Sequence, residues 1–321
     1  MNNKFRVLVS AFLVSAICCV IEVDISAQEL NTDVGEEEQI SLKYYDSSLP
    51  TEFSRDITIN EIQEDIIEYI DFNSLEIQYG SEEYAEFMTD LATTNIYKNT
   101  LNPTAFRFYK AYASVYLSNN FVPVSLMSLE QNMTINDIRN KNSELNDRIQ
   151  EAFENPPQVS EQRAGYNVSA AQEYAHTHAI VPNLSYPLYP SDCTNFASQI
   201  LVAGGYSPNS SWHYNEDKYG TAAFVASVNA GGFVDYWGVG RGHVGKVFTN
   251  ATDVNNWARP GDFIVWFNPD TVTFYHTQFV QSKDKYGYIH CSQHTSNYYN
   301  VKFMDRVEED LGGDHIYWLS F

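Results

Sequence analysis

The residue of this 321-residue chain best suited to covalent chemistry is Cys193, which directly follows Asp192. Pro190 and Ser191 break the extended run before them, so Ser191 or Asp192 can cap a helix that ends at Gly204-Gly205. A thiol in the first turn of that helix faces unpaired backbone N–H groups and the positive end of the helix dipole, and both favour the thiolate. The same N–H groups can hold an oxyanion. The pattern therefore predicts that Cys193 is a catalytic nucleophile.

A nucleophilic thiol needs a histidine base within about 3 Å in the working state. His276 opens a strand of alternating apolar character that follows the turn at Pro260-Gly261-Asp262. A histidine on a strand opposite a cysteine on a helix has the geometry of such a pair, and a third polar group should orient the imidazole. His290, Ser292 and His294 lie two residues apart on the next predicted strand and therefore share one face. His290 and His294 are both candidates for the third group.

Other uses of these residues are open from the pattern alone. Cys193 and Cys291 could form a disulfide in an oxidising space, although a regular strand would point Cys291 away from the face of His290 and His294. His243, in a glycine-rich stretch that reads as a loop, is a second candidate base. A zinc site is disfavoured because no paired CxxC or HExxH motif accompanies the cysteine, so we expect no metal and no cofactor.

The first 27 residues have the pattern of a secretory signal peptide. Lys4 and Arg6 precede an apolar run from Val7 to Val20, and Ile25-Ser26-Ala27 offers a small-residue cleavage site. The run is short for a spanning helix, which needs about 20 residues. We therefore expect a secreted or cell-wall-associated protein that is cleaved near Ala27 and has no stable membrane anchor.

Composition divides the rest of the chain into two parts. Residues 28–160 are strongly acidic and carry apolar residues at helical spacing, so they are predicted to form a mainly α-helical region. A predicted linker from Asn155 to Gln162 ends this region. Residues 161–321 contain all eight histidines and read as helices followed by strands, with a hairpin turn at Asp284–Gly287 and an edge strand at Ile316–Leu319. The fold class predicted is α+β, with the nucleophile helix packed on an antiparallel sheet. The net charge of −22 argues against nucleic-acid binding.

The string Asp192-Cys193-Thr194-Asn195-Phe196, with Ser198-Gln199, resembles the family named "putative amidase domain" of secreted bacterial proteins, which is related to the NlpC and CHAP groups of papain-like cysteine peptidases. Further matches follow in the right order over about residues 165–321: Trp257, Pro260-Gly261-Asp262, His276, Ser292-Gln293-His294-Thr295 and Asp314-His315-Ile316.

This resemblance implies a papain-like fold with Cys193 as nucleophile and His276 as base. The motif match favours His294 as the third residue, whereas alignment to the shorter NlpC-type hairpin favours His290. Asp192, Asn195 and Gln199 are expected in supporting positions.

The resulting expectation is a secreted cysteine amidase or endopeptidase that hydrolyses amide bonds, with peptidoglycan or a peptide as substrate. Two alternatives come from other classes. One is a non-catalytic wall-binding module on the same fold. The other is an acyl transferase that uses the same Cys–His pair, with an amine in place of water. The sequence does not indicate the oligomeric state.

Overall fold

A computed structural model describes residues 42–119, 132–155, 165–216, 222–225 and 229–321. The predicted signal peptide lies outside these residues, and so do the predicted linker beyond Asn155 and the boundary predicted at residue 160. Residues from Tyr44 to Phe321 form one compact unit. Among the described residues, no helix has the length and apolar character needed to span a bilayer.

Most of the described residues in the first half of the chain lie in helices, the arrangement that the apolar spacing predicts. Thr58 and Thr134 begin two of the helices with reciprocal capping boxes, in which each threonine pairs with an acidic residue three positions later. The helices are α1 (Ile59–Phe72), α2 (Glu82–Thr93), α3 (Pro103–Asn119) and α4 (Ile135–Glu154).

The second half adds further helices and the strands, which confirms the α+β class. The helices are α5 (Val168–His178), α6 (Cys193–Ala203), the short α7 (Ala230–Phe233), a π-helix (Val234–Gly240) and α8 (Ala251–Trp257). The strands are β1 (His213–Glu216), β2 (Ala222–Val225), β3 (Val244–Phe248), β4 (Phe263–Asn268), β5 (Thr273–Lys283), β6 (Ile289–Gln293), β7 (Tyr298–Lys302) and β8 (His315–Leu319). Strands β1 and β2 pair with each other.

The described residues contain a six-stranded antiparallel sheet with the strand order β3-β8-β4-β5-β6-β7. The predicted hairpin joins β5 and β6, and the Gly287 N–H donates to the Asp284 carbonyl at 3.0 Å. The prediction of an edge strand at Ile316–Leu319 is wrong, because β8 lies between β3 and β4. The residues after His243 were predicted to be a loop, but they form β3, which occupies the edge instead. The continuous apolar run of β8 is typical of a strand covered on both faces.

One face of the sheet packs against α4, α5 and α6. Its core includes Phe153 of α4, Ala175 of α5 and Phe196 of α6, together with sheet residues such as Val265 and Phe279. Side chains alternate along a strand, so His276 and Gln278 of β5 lie on the face opposite Phe279.

Helices α2 and α3 are joined to the sheet region by polar contacts. Lys110 of α3 forms a buried ion pair with Asp314 at 2.9 Å, and Ser114 shares a 2.8 Å hydrogen bond with Thr271. Asp90 of α2 pairs with Arg306 at 3.0 Å. The acidic first half therefore packs as part of the same unit as the sheet.

Candidate active site

The predicted helix start is present, and Cys193 is the first residue of α6. Asp192 occupies the N-cap position, but its side chain makes no capping hydrogen bond. The Ser191 hydroxyl instead donates to the Leu117 carbonyl of α3 at 3.1 Å. Gly204 ends the helix, as the sequence predicts.

The Cys193 thiol is buried, with 3% of the residue exposed. Burial raises the pKa of the thiol and is the largest effect on it, and the charge of Asp192 acts in the same direction. Hydrogen bonds from Thr194 and from the backbone of Thr277 lower the pKa but do not outweigh burial. The sequence led us to expect a lowered pKa from the helix start. In this closed structure burial dominates, so the thiol form is favoured.

The start of α6 meets β5 beside His276. The Cys193 sulfur accepts a hydrogen bond from the backbone of Thr277, the residue after His276, and the Thr194 and Thr277 hydroxyl oxygens lie 3.1 Å apart. The pairing of β5 with β6 ends at Phe279 and Ser292, so β6 leaves this part of β5 open to the helix. The start of α6 therefore contacts β5 at Thr277, one residue from the predicted base, and Cys193 and His276 share no hydrogen bond among the described residues.

The His276 ring is fixed by Gln293. Its Nε2 lies 2.7 Å from Gln293 Oε1. The Gln293 amide nitrogen donates to the carbonyls of Thr295 and Ser296, at 2.8 and 3.1 Å, so the amide oxygen must face the imidazole. His276 therefore carries its proton on Nε2. Its Nδ1 is buried and has no hydrogen-bond partner among the described residues.

Burial also determines the charge of His276. The ring is fully buried, and burial lowers its pKa to about 4, an effect that the hydrogen bond to Gln293 partly opposes. The imidazole is accordingly neutral near pH 7, with the lone pair of Nδ1 available to accept a proton.

Gln293 is itself held by a second amide, that of Gln278, and neither residue was among the predicted third residues or bases. The Gln278 amide nitrogen donates to Gln293 Oε1 at 2.7 Å, and the Trp266 indole N–H donates to Gln278 Oε1 at 2.8 Å. The usable signal was the two-residue spacing of His276 and Gln278, which puts both side chains on one face.

Neither of the predicted third residues contacts His276 through a hydrogen bond. His294 Nδ1 lies 2.6 Å from Asp192 Oδ2, and its Nε2 lies 2.8 Å from the His178 carbonyl. His290 is partly exposed; its Nδ1 lies 3.0 Å from the Asn300 carbonyl, and its Nε2 lies 3.6 Å from Asp284. Gln293 lies on the face of β6 that meets His276, so His290 and His294, which lie three residues and one residue away from it, fall on the other face.

The same alternation puts Cys291 on the face of Gln293 and away from the face of His290, as predicted for a regular strand. Cys291 is fully buried, and both Cys193 and Cys291 are free thiols, so the described structure contains no disulfide between them.

The predicted supporting residues hold the segment that leads into Cys193. Asn195 Nδ2 donates to Asp192 Oδ1 at 2.8 Å and to the Pro187 carbonyl at 3.1 Å. Gln199 Oε1 accepts from the Tyr174 hydroxyl of α5 at 2.7 Å. These contacts fix the approach of the chain to α6.

The alternative base and the metal site find no support at this position. His243 Nδ1 lies 2.8 Å from the Ser320 carbonyl, and its ring stacks on Phe321 with centroids 4.0 Å apart, so it holds the C-terminal segment. Among the described residues, no group of three or more His, Cys, Asp or Glu side chains is arranged to hold a metal ion.

Comparison with known proteins bears on this same region. Residues 165–316 match the family model described as "putative amidase domain", and the matched range contains Cys193, His276 and Gln293. The match supports hydrolysis of amide bonds. The chain is 40% identical over 73 residues to the uncharacterized protein YjcM of Bacillus subtilis (strain 168). That alignment covers 22% of this chain and 16% of the relative, so the chain spans less than a fifth of that protein's length. No solved structure matches the chain.

Proposed function

We propose that this protein hydrolyses amide bonds with Cys193 as the nucleophile and His276 as the general base. The observation that carries the proposal is the state of His276. Its ring is fixed by Gln293 with the proton on Nε2, and its unpartnered Nδ1 belongs to the residue before Thr277, whose backbone contacts the Cys193 sulfur. Thiol activation requires this nitrogen within hydrogen-bond reach of the sulfur, and that contact has to form when the site opens.

The proposed reaction uses that lone pair first. His276 Nδ1 takes the Cys193 proton, and the thiolate attacks the amide carbon to form a tetrahedral intermediate. Backbone N–H groups at the start of α6 stabilise the oxyanion. The imidazolium returns the proton to the leaving nitrogen as the C–N bond breaks. Water, deprotonated by His276, then cleaves the thioester and restores the thiol.

Substrate binding has to open this region. Only 3% of Cys193 is exposed and His276 is fully buried, so the described arrangement is a closed state. Opening removes the effect that raises the thiol pKa, because burial is the largest contribution to it. Hydration of the imidazole in the open state likewise returns the His276 pKa towards its ordinary value near 6.5.

The substrate that we propose is a peptide bond or amide of peptidoglycan, cleaved outside the cell. The motif resemblance over residues 165–321 supports this substrate, and the signal-like pattern of residues 1–27 supports the location.

The test is alkylation of the full mature chain by iodoacetamide as a function of pH, with each site located by peptide mass spectrometry. We expect labelling of Cys193 with an apparent pKa that rises in His276→Ala, because the variant removes the group that accepts the thiol proton. Cys291→Ser is the matched control, since its buried thiol is not part of the site, and it should leave labelling of Cys193 unchanged.

The activity arm uses release of amines from purified peptidoglycan and from peptide amides. Cys193→Ala should reduce the release to background. If Cys193→Ala and the wild type release amines equally, the hydrolase proposal is wrong. Unchanged wall binding without turnover in either protein would instead favour a binding module.

The burial of both residues favours acyl transfer to an amine as a second candidate function. A site that excludes water protects the thioester until another nucleophile arrives. Product analysis with an added primary amine separates the two reactions: a transferase yields the new amide as the main product, and a hydrolase yields the free acid.

A further inference from the structure

The His294 ring lies between two oxygen atoms next to the candidate site. Nδ1 is 2.6 Å from Asp192 Oδ2, and Nε2 is 2.8 Å from the His178 carbonyl oxygen. A carbonyl only accepts, so Nε2 carries a proton. Two unprotonated atoms do not approach to 2.6 Å, so a second proton lies on the contact with Asp192. Asp192 and His294 together therefore carry no net charge.

The Asp192 carboxylate receives further donors, which favour its ionised form. Asn195 Nδ2 donates to Oδ1 at 2.8 Å, and the Tyr189 backbone adds another hydrogen bond. Burial is the largest effect on Asp192 and raises its pKa on balance, and these hydrogen bonds, with the one from His294, partly offset it. We assign the pair as carboxylate and imidazolium on these donors.

The position of the pair links the elements that carry the site. Asp192 directly precedes Cys193, and His294 directly follows Gln293. The Asp192 N–H donates to Thr295 Oγ1 at 2.8 Å, and the His294 ring stacks on Phe196 of α6 with centroids 3.9 Å apart. Asp192 and His294 thus join the start of α6 to the end of β6.

We propose that the Asp192–His294 pair is a positioning and charge-neutralising device for the nucleophile, an inference that rests on the proposed function of Cys193. A lone carboxylate one residue from the sulfur opposes formation of the thiolate. The imidazolium offsets that charge while the same contact holds the helix start against the strand that carries Gln293.

Two other ionisable groups near the pair, Tyr174 and His276, do not supply the positive charge that offsets Asp192. Tyr174 of α5 faces Asp192, and burial raises the pKa of its hydroxyl. Burial lowers the pKa of His276 on β5. Both groups are neutral near pH 7. His178 reaches the pair through its backbone carbonyl.

The experiment measures the alkylation rate of Cys193 against pH in full-length wild type, His294→Gln, Asp192→Asn and the double variant. His294→Gln leaves Asp192 charged and should slow labelling near pH 7 about tenfold, which corresponds to one pKa unit. Asp192→Asn removes the carboxylate and keeps an oxygen that can accept from His294, so its labelling rate is the reference for the double variant. The double variant should recover to within about twofold of Asp192→Asn. A double variant as slow as His294→Gln would mean that the pair is merely structural, and the proposal would fall.

Two further readouts keep the result decisive. Thermal melts show whether each variant folds. If His294→Gln does not fold, nitrogen NMR of histidine-labelled wild type replaces it, with both His294 nitrogens expected to be protonated in the folded protein. An unprotonated Nδ1 would overturn the charge assignment. Failure of the proposed function has a different signature, because His276→Ala would then leave the Cys193 pKa unchanged whatever His294 does.

Discussion

At the scale of single residues, the Gln293 side chain decides which nitrogen of His276 can act. Its amide oxygen is directed at Nε2 because its amide nitrogen is held by two backbone carbonyls. An amide stays neutral over the whole pH range, so this contact fixes the tautomer without adding charge. A carboxylate in the same place would favour the imidazolium and so raise the pKa of His276.

Replacement of Gln293 tests that role. Gln293→Leu removes the acceptor and leaves a buried N–H without a partner, so we expect a loss of about 1–3 kcal/mol in unfolding free energy. Amide hydrolysis should fall at least tenfold in kcat/KM, because the ring loses its tautomer and orientation. Gln293→Glu keeps an acceptor and should raise the pH at which activity appears. Denaturant unfolding and pH–rate profiles measure the two effects, and equal pH profiles for wild type and Gln293→Glu would contradict the assignment.

The buried imidazole also makes stability depend on pH. The folded-state pKa of His276 is about 4, whereas an unfolded histidine has a pKa near 6.5. The unfolded chain therefore binds the proton first, and stability falls as the pH drops from about 6.5 to 4, by about 3 kcal/mol in total. Above pH 6.5 this contribution is fully present. Unfolding curves across that range should show the slope in wild type, and His276→Gln should remove this part of it.

At the scale of elements, the start of α6 and the strand β5 were predictable from the sequence. The face of the sheet on which each side chain of β6 lies was not. Pro190, the apolar spacing after Cys193 and Gly204-Gly205 define α6 locally. His276 lies on a strand with clear alternation. Which face of β6 meets His276 depends on how β6 pairs with β5, and the local sequence does not determine that pairing. The sequence therefore favoured His294, whereas Gln293 contacts the ring. The packing of α2 and α3 against the sheet had no local signal.

A buried ion pair contributes to the attachment of α3 to the sheet, beside the hydrogen bond between Ser114 and Thr271. Lys110 and Asp314 have side chains that are 5% and 2% exposed, and Asp314 also accepts from the Tyr275 hydroxyl at 2.7 Å. Lys110→Met leaves a buried carboxylate without its cation and should cost about 3–5 kcal/mol. Lys98→Met, at the exposed pair with Glu308, is the matched control and should cost less than about 1 kcal/mol. Equal losses in the two variants would contradict this account.

At the scale of the whole molecule, the region matched by the family model is only part of a packed unit. Residues 165–316 omit α4, whose Ile149 and Phe153 belong to the sheet core, and they omit the buried Leu319 and Phe321. The acidic helical region adds the ion pairs to Asp314 and Arg306. The division of the chain at residue 160 stays a prediction. The residues before and after it differ in composition, but from Tyr44 onwards they belong to one compact unit.

Expression of fragments tests this unity. Residues 44–321 should give a soluble protein with a cooperative thermal transition. Residues 161–321 alone expose the core surface that α4 covers and should aggregate or melt without a cooperative transition. Circular dichroism and size-exclusion chromatography measure both. A monomeric, cooperatively folding 161–321 fragment would show that the second part is an autonomous domain.

The position of β8 has a consequence for folding kinetics. Strand β8 lies between β3 and β4, and the pairing of Phe248 with Ile316 joins residues far apart in the sequence. Without β8, β3 and β4 have no common neighbour, so the described sheet consists of two disconnected pieces. A contact of high sequence separation must therefore form before the sheet is complete, and the entropy lost in closing so long a loop makes this step slow.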